Sequence, residues 1–246
     1  MRGEIYERLA HALAAEELLA QATALSGPGA GAGMLIWPDG RTAGELASAV
    51  AEARARAIAE QLLRVVGTRR ATVEVDGGTV ELFVQVHAPR PQLVIVGGGH
   101  VAEHLVRLAS ELDYRTVVVD PRAAFATPER FAAADRLIQE WPARAFAELQ
   151  LHEATSVAVL SHDLKLDVPA LKAALAGAAR YVGALGSKKT QGRRAAALRE
   201  AGVPEERIAR IRSPIGLDLG GRRPDEIALA ILAEIVAARH GKDISG

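Results

Sequence analysis

The chain has 246 residues, with 30 Lys and Arg against 30 Asp and Glu, and it contains no cysteine. Zero formal charge and an aromatic content of 4% argue against a nucleic-acid-binding protein, which usually carries a basic excess. The absence of cysteine excludes disulfides, cysteine-ligated metal centres and a thiol nucleophile. No stretch is apolar enough to span a bilayer, and residues 1–17 lack the apolar core of a signal peptide, so we expect a cytoplasmic protein.

The first part of the sequence predicts a small α+β domain over residues 1–88. Alternating β-branched residues on both sides of Asp76-Gly77-Gly78 are typical of a hairpin. The glycine-rich segment is interpreted as a loop, with a flexible linker as the alternative. The predicted elements are a helix over 2–25 that could end in a strand, the loop over 26–33, a strand over 34–37, a helix over 45–66, and strands over 71–75 and 79–86.

Pro89-Arg90-Pro91 marks a boundary, because two prolines favour an extended connector. Residues 89–246 then alternate strands with helices, which predicts a Rossmann-like, doubly wound parallel sheet. The α/β class thus combines this sheet with the smaller α+β domain before it. The predicted strands are 93–96, 115–119, 136–138, 156–160 and 181–185, and the predicted helices are 100–112, 168–178, 188–201 and 225–240.

A glycine-rich turn, Gly97-Gly98-Gly99-His100-Val101-Ala102, fits the G-x-G-x-x-A pattern between a strand and a helix. In that pattern Gly97 makes the tight turn, and Gly99 lets a phosphate approach the backbone at the positive end of the helix. Asp120 ends the second strand, where a ribose-binding carboxylate is expected. The turn therefore predicts a dinucleotide-type ligand such as NAD(P), and a turn needed only for packing is the alternative.

The same segment also fits a zinc-binding pattern. His100-Val101-Ala102-Glu103-His104 matches H-x-x-E-H, which in some metallopeptidases places two zinc-binding histidines one helical turn apart. That interpretation leaves the three glycines and Asp120 unexplained, and the sequence shows no third ligand. We therefore predict no metal site, and we expect His104 to be a surface or packing residue.

Polar residues follow several predicted strands at the edge where parallel sheets bind ligands. His162 and Asp163 are the best candidates for acid–base chemistry, although Asp163 and Asp167 could instead cap the next helix. Gly186-Ser187-Lys188 predicts a second anion site, because a cation in a first helical turn opposes the helix dipole; a solvated first turn at Lys188 and Lys189 is the alternative. These polar segments are Asp120-Pro121-Arg122, Ser161-His162-Asp163 with Asp167, Gly186-Ser187-Lys188-Lys189, and Ser213 to Asp218.

Taken together, these motifs resemble the C-terminal Rossmann domain of the XdhC/CoxI family, accessory factors for xanthine dehydrogenase and related molybdenum hydroxylases. They follow the family's order between about residues 91 and 240, ending with Pro214-Ile215-Gly216-Leu217-Asp218 and Pro224-Asp225-Glu226. The first half resembles the family's N-terminal domain more faintly. Ser26-Gly27-Pro28-Gly29, Gly44-Glu45-Leu46-Ala47 and Asp76-Gly77-Gly78 stand where the family often has Ser-x-Pro-Arg, Gly-Gly-Cys-x-Glu and Cys-Gly-Gly.

The resemblance implies a maturation factor that binds molybdenum cofactor in its molybdopterin form and delivers it to a molybdenum hydroxylase. It also implies a cysteine desulfurase as a partner, whose thiol must serve any sulfur transfer because this chain has none. A homodimer is expected. The alternative functions are an NAD(P)-dependent oxidoreductase and a non-catalytic interaction scaffold. The expected cofactor-binding residues are Gly97, Gly99, His100, Val101, Asp120, Arg122, His162, Asp167, Gly186, Ser187, Lys188, Pro214, Gly216 and Asp218.

Overall fold

The structure is a computed structural model that describes residues 2–242, with all their side chains except those of Arg2 and Lys188. The chain divides into two compact units, Met1–Pro89 and Arg90–Gly246. Each unit has its own sheet and its own hydrophobic core.

The first unit is an antiparallel sheet with helix α2 packed on one face. Among the described residues its strand order is β3-β2-β1-β5-β4, and each neighbouring pair is antiparallel. Its elements are α1 (Arg2–Ala14), β1 (Leu19–Ser26), β2 (Gly33–Ile36), β3 (Thr42–Gly44), α2 (Ala49–Leu63), β4 (Thr68–Val75) and β5 (Gly78–His87).

The helix predicted over 2–25 ends at Ala14, and the strand that the sequence allowed at its end is present as β1. Glu16 has a φ of +54°, a left-handed conformation that does not continue a helix. The chain then becomes strand β1, which alternates between the two faces of the sheet and buries small residues beneath α2. Those small residues are Ala20, Ala22 and Ala24.

The glycine-rich segment is an ordered turn that joins β1 to β2, so the flexible-linker alternative is wrong. The amide of Gly31 donates to the Ala24 carbonyl at 2.7 Å, and the Ala24 amide donates to the Ala32 carbonyl at 3.0 Å. After β2, the half-buried Trp37 donates its indole N–H to the Glu17 carboxylate at 2.5 Å. Hydrogen bonds therefore hold both ends of the β1–β2 pair, the turn at one end and Trp37 with Glu17 at the other.

The second unit is a parallel sheet with helices on both faces, which confirms the predicted fold class. Among the described residues its strand order is β11-β10-β9-β6-β7-β8, so the order reverses between β6 and β9. Its elements are β6 (Gln92–Val96), α3 (His100–Glu111), β7 (Arg115–Val119), β8 (Arg136–Ile138), α4 (Pro142–Glu148), β9 (Thr155–Val159), α5 (Leu164–Ala176), β10 (Tyr181–Ala184), α6 (Lys188–Glu200), α7 (Glu205–Ile208), β11 (Ile211–Arg212) and α8 (Pro224–Arg239).

Strand β6 is buried on both faces, as its unbroken apolar run predicts. Leu93 and Ile95 pack against α3 and α8, while Val94 and Val96 pack against α5 and α6. Helix α5 begins at Leu164, four residues before the predicted start, because the side chain of Asp163 caps it. Helix α4, which follows the half-exposed Trp141, the one-turn helix α7 and the two-residue strand β11 are not predicted from the sequence.

Candidate functional site

The glycine turn between β6 and α3 lies where the strand order reverses, and its three glycines have different surroundings. A Cβ on Gly97, whose φ is +104°, would come within 2.8 Å of the Ser161 amide nitrogen. A Cβ on Gly98 would come within 2.7 Å of the Phe125 carbonyl oxygen. These two glycines are therefore required for close packing. A Cβ on Gly99 would meet no atom within 4 Å, so this position faces open space.

The N-terminus of α3 has backbone N–H groups that form no hydrogen bond within the described residues. Gly99 is its N-cap and supplies no side-chain hydrogen bond. In the described part of the chain, no hydrogen bond is found from the amides of His100 or Val101. Two N–H groups and the positive end of a 12-residue helix thus face the space beside Gly99. The imidazole of His100 is exposed and lies 3.6 Å from Glu103.

Asp120 braces this turn from the end of β7. The carboxylate is fully buried and accepts hydrogen bonds from the Gly98 amide at 2.8 Å and from the backbone and guanidinium of Arg122 at 2.7–3.0 Å. Burial disfavours the charge, but these hydrogen bonds outweigh it and hold the pKa of Asp120 below its ordinary value. Arg122 stays half exposed and stacks on the Phe125 ring, 4.3 Å from its centroid.

A buried network joins the ends of β9 and β10. The Ser161 hydroxyl donates to Asp167, and Arg194 donates its Nε to the other Asp167 oxygen at 2.6 Å. Arg194 also donates to the carbonyls of Ser161 and Leu185, at 3.2 and 2.7 Å. Burial raises the pKa of Asp167 above its ordinary value, although Ser161 and Arg194 both favour its ionised form.

Arg194 is the residue of this network that sequence reasoning missed. Its side chain is fully buried, and its Nη1 nitrogen has no hydrogen-bond partner in the described part of the chain. That nitrogen lies 3.2 Å from the point where a Cβ on Gly186 would sit. The available signal was helical spacing: Arg194 precedes the buried Leu198 by four residues, so both side chains lie on one face of α6.

The side chains of two predicted acid–base residues lie outside this buried network, although the Asp163 amide donates to the Ser161 hydroxyl at 3.4 Å. His162 and Asp163 are both exposed. Asp163 accepts the Lys165 amide at 2.9 Å, so the capping interpretation is confirmed for it. The capping interpretation is wrong for Asp167, which is buried against Arg194.

The second predicted anion site is the N-terminus of α6. Ser187 is the N-cap, and its hydroxyl accepts the Thr190 amide at 3.3 Å. Gly186 precedes it with a φ of +140°, a conformation that favours glycine. The side chain of Lys188 lies outside the described residues.

The Pro214–Asp218 segment contacts α8 and its own turn. The amide of Gly216 donates to Glu234 at 2.6 Å, and a Cβ on Gly216 would come within 3.0 Å of the Ile231 amide. Pro214 is exposed, and the carboxylate of Asp218 accepts the Gly220 amide at 3.2 Å. These contacts give the segment a packing role. Within residues 2–242, none of them joins the segment to the glycine turn between β6 and α3.

Within residues 2–242, no group of three or more histidine or acidic side chains is placed to hold a metal ion. His104 is half-buried, and the carboxylate of Glu103 is engaged by Arg130, whose Nε donates to it at 2.7 Å. In the same part of the chain, no helix is both long and apolar enough to cross a membrane.

A family model described as the XdhC Rossmann domain matches residues 93–235, more than half of the chain. The chain belongs to the XdhC family. This membership confirms the resemblance found in the sequence, and it places the glycine turn, Asp120, Asp167 and Arg194 inside the XdhC Rossmann domain.

This XdhC chain is similar to three longer proteins. It is 30% identical over 227 residues to YqeB of Escherichia coli K12, covering 87% of this chain and 42% of YqeB. It is 30% identical over 161 residues to a probable xanthine dehydrogenase subunit of Bacillus subtilis 168, covering 65% of this chain and 47% of that subunit. It is 38% identical over 95 residues to the molybdenum cofactor insertion chaperone PaoD of E. coli K12, covering 39% of this chain and 30% of PaoD. The chain thus spans less than half the length of these relatives.

Among solved structures, the chain is similar to a xanthine dehydrogenase from Bacillus halodurans. The TM-score is 0.69 at 24% sequence identity, and the match covers 96% of this chain and 66% of that one. At this identity the likeness shows a shared fold.

Proposed function

We propose that this XdhC chain binds molybdenum cofactor and supports its maturation and insertion into a xanthine dehydrogenase-type molybdenum hydroxylase. Family membership and the names of two relatives, a cofactor insertion chaperone and a xanthine dehydrogenase subunit, support this role. The cofactor is a pterin that bears a phosphate, sometimes extended to a dinucleotide. The structural observation that carries the proposal is the open space beside Gly99 at the N-terminus of α3.

The residues around that space fit a phosphate group. The free amides of His100 and Val101 are donors at the positive end of α3, where anions bind favourably. Arg122 adds a half-exposed guanidinium held in place by Asp120 and Phe125. In our proposal the backbone of the turn therefore binds the phosphate, and Asp120 orients both the turn and Arg122.

The α6 N-terminus is the proposed site for a second anionic group of the same ligand. Gly186 and Ser187 begin this helix, and the buried guanidinium of Arg194 lies beneath Gly186. A dinucleotide form of the cofactor carries a diphosphate and would supply such a group. Asp167 and Ser161 hold Arg194 in position from the end of β9, so their proposed role is to orient that guanidinium.

The hydrogen bonds of Asp120 favour the role in cofactor maturation over that of an NAD(P)-dependent oxidoreductase. A ribose-binding carboxylate must accept hydrogen bonds from ribose hydroxyls. Both oxygens of Asp120 already accept hydrogen bonds from Gly98 and Arg122, so a ribose would have to displace one of them. Titration calorimetry of the full chain with NADH and NADPH tests the alternative directly, and we expect no binding heat.

The proposed partners are the apo-hydroxylase that receives the cofactor and a cysteine desulfurase that sulfurates it. The second partner is needed because the chain has no thiol to hold or pass on sulfur. We propose a homodimer as the assembly that meets them. Light scattering after size exclusion measures that assembly, and co-purification with each tagged partner measures the two interactions.

The central experiment is to co-express the chain with the cofactor synthesis pathway and to identify the small molecules it releases by mass spectrometry. Gly99→Val places a side chain in the open space, at a φ of −76° that valine adopts readily. Gly192→Val is the matched control, because a Cβ on that exposed glycine of α6 also meets no atom within 4 Å. We expect molybdopterin from the natural chain and the control, and a loss of about tenfold or more with Gly99→Val. Absence of any pterin from the natural chain contradicts the proposal.

A further inference from the structure

Strand β4 differs from the other strands that end the two sheets. Among the described residues, the edge strands β3, β8 and β11 have three, three and two residues, whereas β4 has eight. Short edge strands and prolines are two ways in which proteins avoid pairing with another chain. β4 has neither protection, and it pairs with β5 in one unbroken register. Its open side, the β4 edge, is therefore long and regular enough to take a further strand.

The backbone groups along the β4 edge belong to alternate residues. The Val86 amide donates to the Gly67 carbonyl at 2.9 Å, one residue before β4 begins. In an antiparallel ladder, residues that bond to the neighbouring strand alternate with residues whose N–H and C=O groups point away from it. The residues of β4 that direct these groups away from β5 are Thr68, Arg70, Thr72 and Glu74.

The side chains at the β4 edge carry both signs of charge. Arg70 is 72% exposed and lies 3.6 Å from Glu81 of β5, so this ion pair contributes little. Glu74 is exposed and accepts the Thr79 hydroxyl at 3.0 Å, and no ion pair of Glu74 is found in residues 2–242. Arg70 and Glu74 share one face of the strand, because they are four residues apart. A charged edge of this kind pairs with a strand of complementary charge and resists others.

β4 is complementary to itself when two copies pair in antiparallel orientation about Thr72. In that register Thr72 lies opposite Thr72 of the second copy, and each Arg70 lies opposite a Glu74. These residues direct their backbone groups outward, so the two strands exchange main-chain hydrogen bonds at each of them. On the other face, where α2 packs, Ala71 lies opposite Val73. A two-fold axis at Thr72 therefore matches backbone groups, charges and apolar side chains together.

Other registers of the same strand lose this match. A centre at Ala71 places Arg70 opposite Thr72 and forms no ion pair. A centre at Arg70 or at Glu74 places like charges opposite each other. A centre at Val73 places Arg70 opposite an acidic residue of the turn beyond the strand. Among these registers, the one centred on Thr72 places both ion pairs within the strands, so the charge pattern favours a second copy over an unrelated strand.

We propose that two copies of this chain pair through the β4 edge, antiparallel about Thr72, and join their five-stranded sheets into one continuous sheet. Main-chain hydrogen bonds supply the contact, and the facing Arg70 and Glu74 side chains set the register. This inference rests on the homodimer of the proposed function and names its interface. It depends neither on the Rossmann turn nor on cofactor binding.

Because the chain has no cysteine, one introduced cysteine reports the register directly. Facing residues of a hydrogen-bonded antiparallel pair have Cα atoms about 5.5 Å apart, a distance that a disulfide spans. We therefore expect Thr72→Cys to form a covalent dimer on mild oxidation, measured by non-reducing electrophoresis. Thr68→Cys is the matched control on the same edge, because its two copies lie about 27 Å apart in this register. Equal cross-linking of the two variants, or none with Thr72→Cys, overturns the register.

Charge reversal tests the ion pairs. In a dimer of Arg70→Glu chains, or of Glu74→Arg chains, like charges face each other, so we expect the Kd to rise about tenfold or more. When the two variants are mixed, both facing pairs are attractive again, and the heterodimer should recover about the Kd of the natural chain. This recovery separates a lost ion pair from a folding defect. Glu7→Arg, a reversal at an exposed residue of α1, should leave the Kd unchanged.

Sedimentation equilibrium of the full chain measures these dissociation constants. A natural chain that is monomeric at about 100 μM overturns both the interface and the proposed homodimer. A dimer that both charge reversals leave unchanged overturns the interface alone. Gly99→Val should stay dimeric while it loses the cofactor, so the interface and the cofactor site are tested separately.

Discussion

The candidate site of the second unit and the β4 edge of the first unit use charged side chains in opposite ways. At the carboxyl edge of the parallel sheet, Asp120, Asp167 and Arg194 are buried and bonded to one another or to nearby turns, and backbone amides face the open space. At the β4 edge, Arg70 and Glu74 are exposed, and the carboxylate of Glu74 has no ion pair among the described residues.

This difference shows that a charged residue in a site need not be the one that meets the ligand. A buried charge is costly unless paired, so the charges at the carboxyl edge of the parallel sheet are committed to each other and serve to orient the turns. An exposed carboxylate keeps its hydrogen-bonding capacity for a partner. The first arrangement suits recognition of an anion by N–H groups, and the second suits pairing with an opposite charge on a second copy of the chain.

The largest expected effect is at Arg194. Arg194→Ala would leave Asp167 buried without its ion partner, so we expect a loss of about 3–5 kcal/mol in the free energy of unfolding. Arg193→Ala, at the exposed neighbour, should change it by less than about 0.5 kcal/mol. Urea unfolding at pH 7, followed by far-UV circular dichroism, measures both. If Arg194→Ala does not fold, the double variant Asp167→Leu with Arg194→Met should, because it leaves no unpaired charge. Equal effects of the two alanine variants would show that Arg194 does not brace the sheet edge.

Gly44 and Glu74 lie on the two edge strands of the first unit and have opposite expected effects, intermediate in size. Gly44→Ala introduces a Cβ at positive φ that overlaps Ile5, so we expect a loss of about 2 kcal/mol in the free energy of unfolding of the first unit. Glu74→Ala should change that free energy by less than about 0.5 kcal/mol while raising the Kd of the dimer severalfold, because it removes one partner of each facing ion pair. Urea unfolding below the Kd of the dimer and sedimentation equilibrium measure the two quantities. A stable Gly44→Ala chain, or a destabilised Glu74→Ala chain, would reverse the contrast between the two edge strands.

The smallest expected effect concerns pH and Asp120. Its pKa is lowered in the folded chain, so its ionisation adds stability above the unfolded pKa of about 3.9 and loses that stability as pH falls through the folded value. We expect Asp120→Asn to cost only about 1 kcal/mol at pH 7, because the partner Arg122 is 40% exposed and screened by water. The difference from the natural chain should shrink between about pH 5 and pH 3 in urea titrations. A difference that stays constant over this range would mean that the charge of Asp120 does not brace the turn.

The sequence predicts the elements of the second unit well where the apolar signal is continuous. Strands β7 and β8 have the predicted bounds, Arg115–Val119 and Arg136–Ile138, and the parallel sheet follows from their alternation with helices. The first unit is harder, because alanine suits both a helix and a closely packed strand. For that reason the sequence pattern allows a strand after the first helix but does not show where the helix ends and the strand at Leu19–Ser26 begins.

The candidate site is predictable only in its local parts. The glycine turn and Asp120 lie on short segments whose spacing is diagnostic by itself. The residues that contact them in the fold cannot be predicted from the sequence. Arg194 reaches Asp167 from 27 residues away, and β4 lies at an edge because β5 pairs with the distant β1 on its other side. Such contacts depend on the folded path of the chain, which hydrophobic periodicity does not encode.

The distribution of tryptophan has a practical consequence. The chain has two tryptophans, the half-buried Trp37 of the first unit and the half-exposed Trp141 that precedes α4 in the second. Replacing either one by phenylalanine leaves a single tryptophan in a known unit, and excitation at the red edge of the indole band avoids the three tyrosines. Intrinsic emission can then show whether the two units melt together or separately, without any attached dye, and whether a small molecule quenches one indole and spares the other.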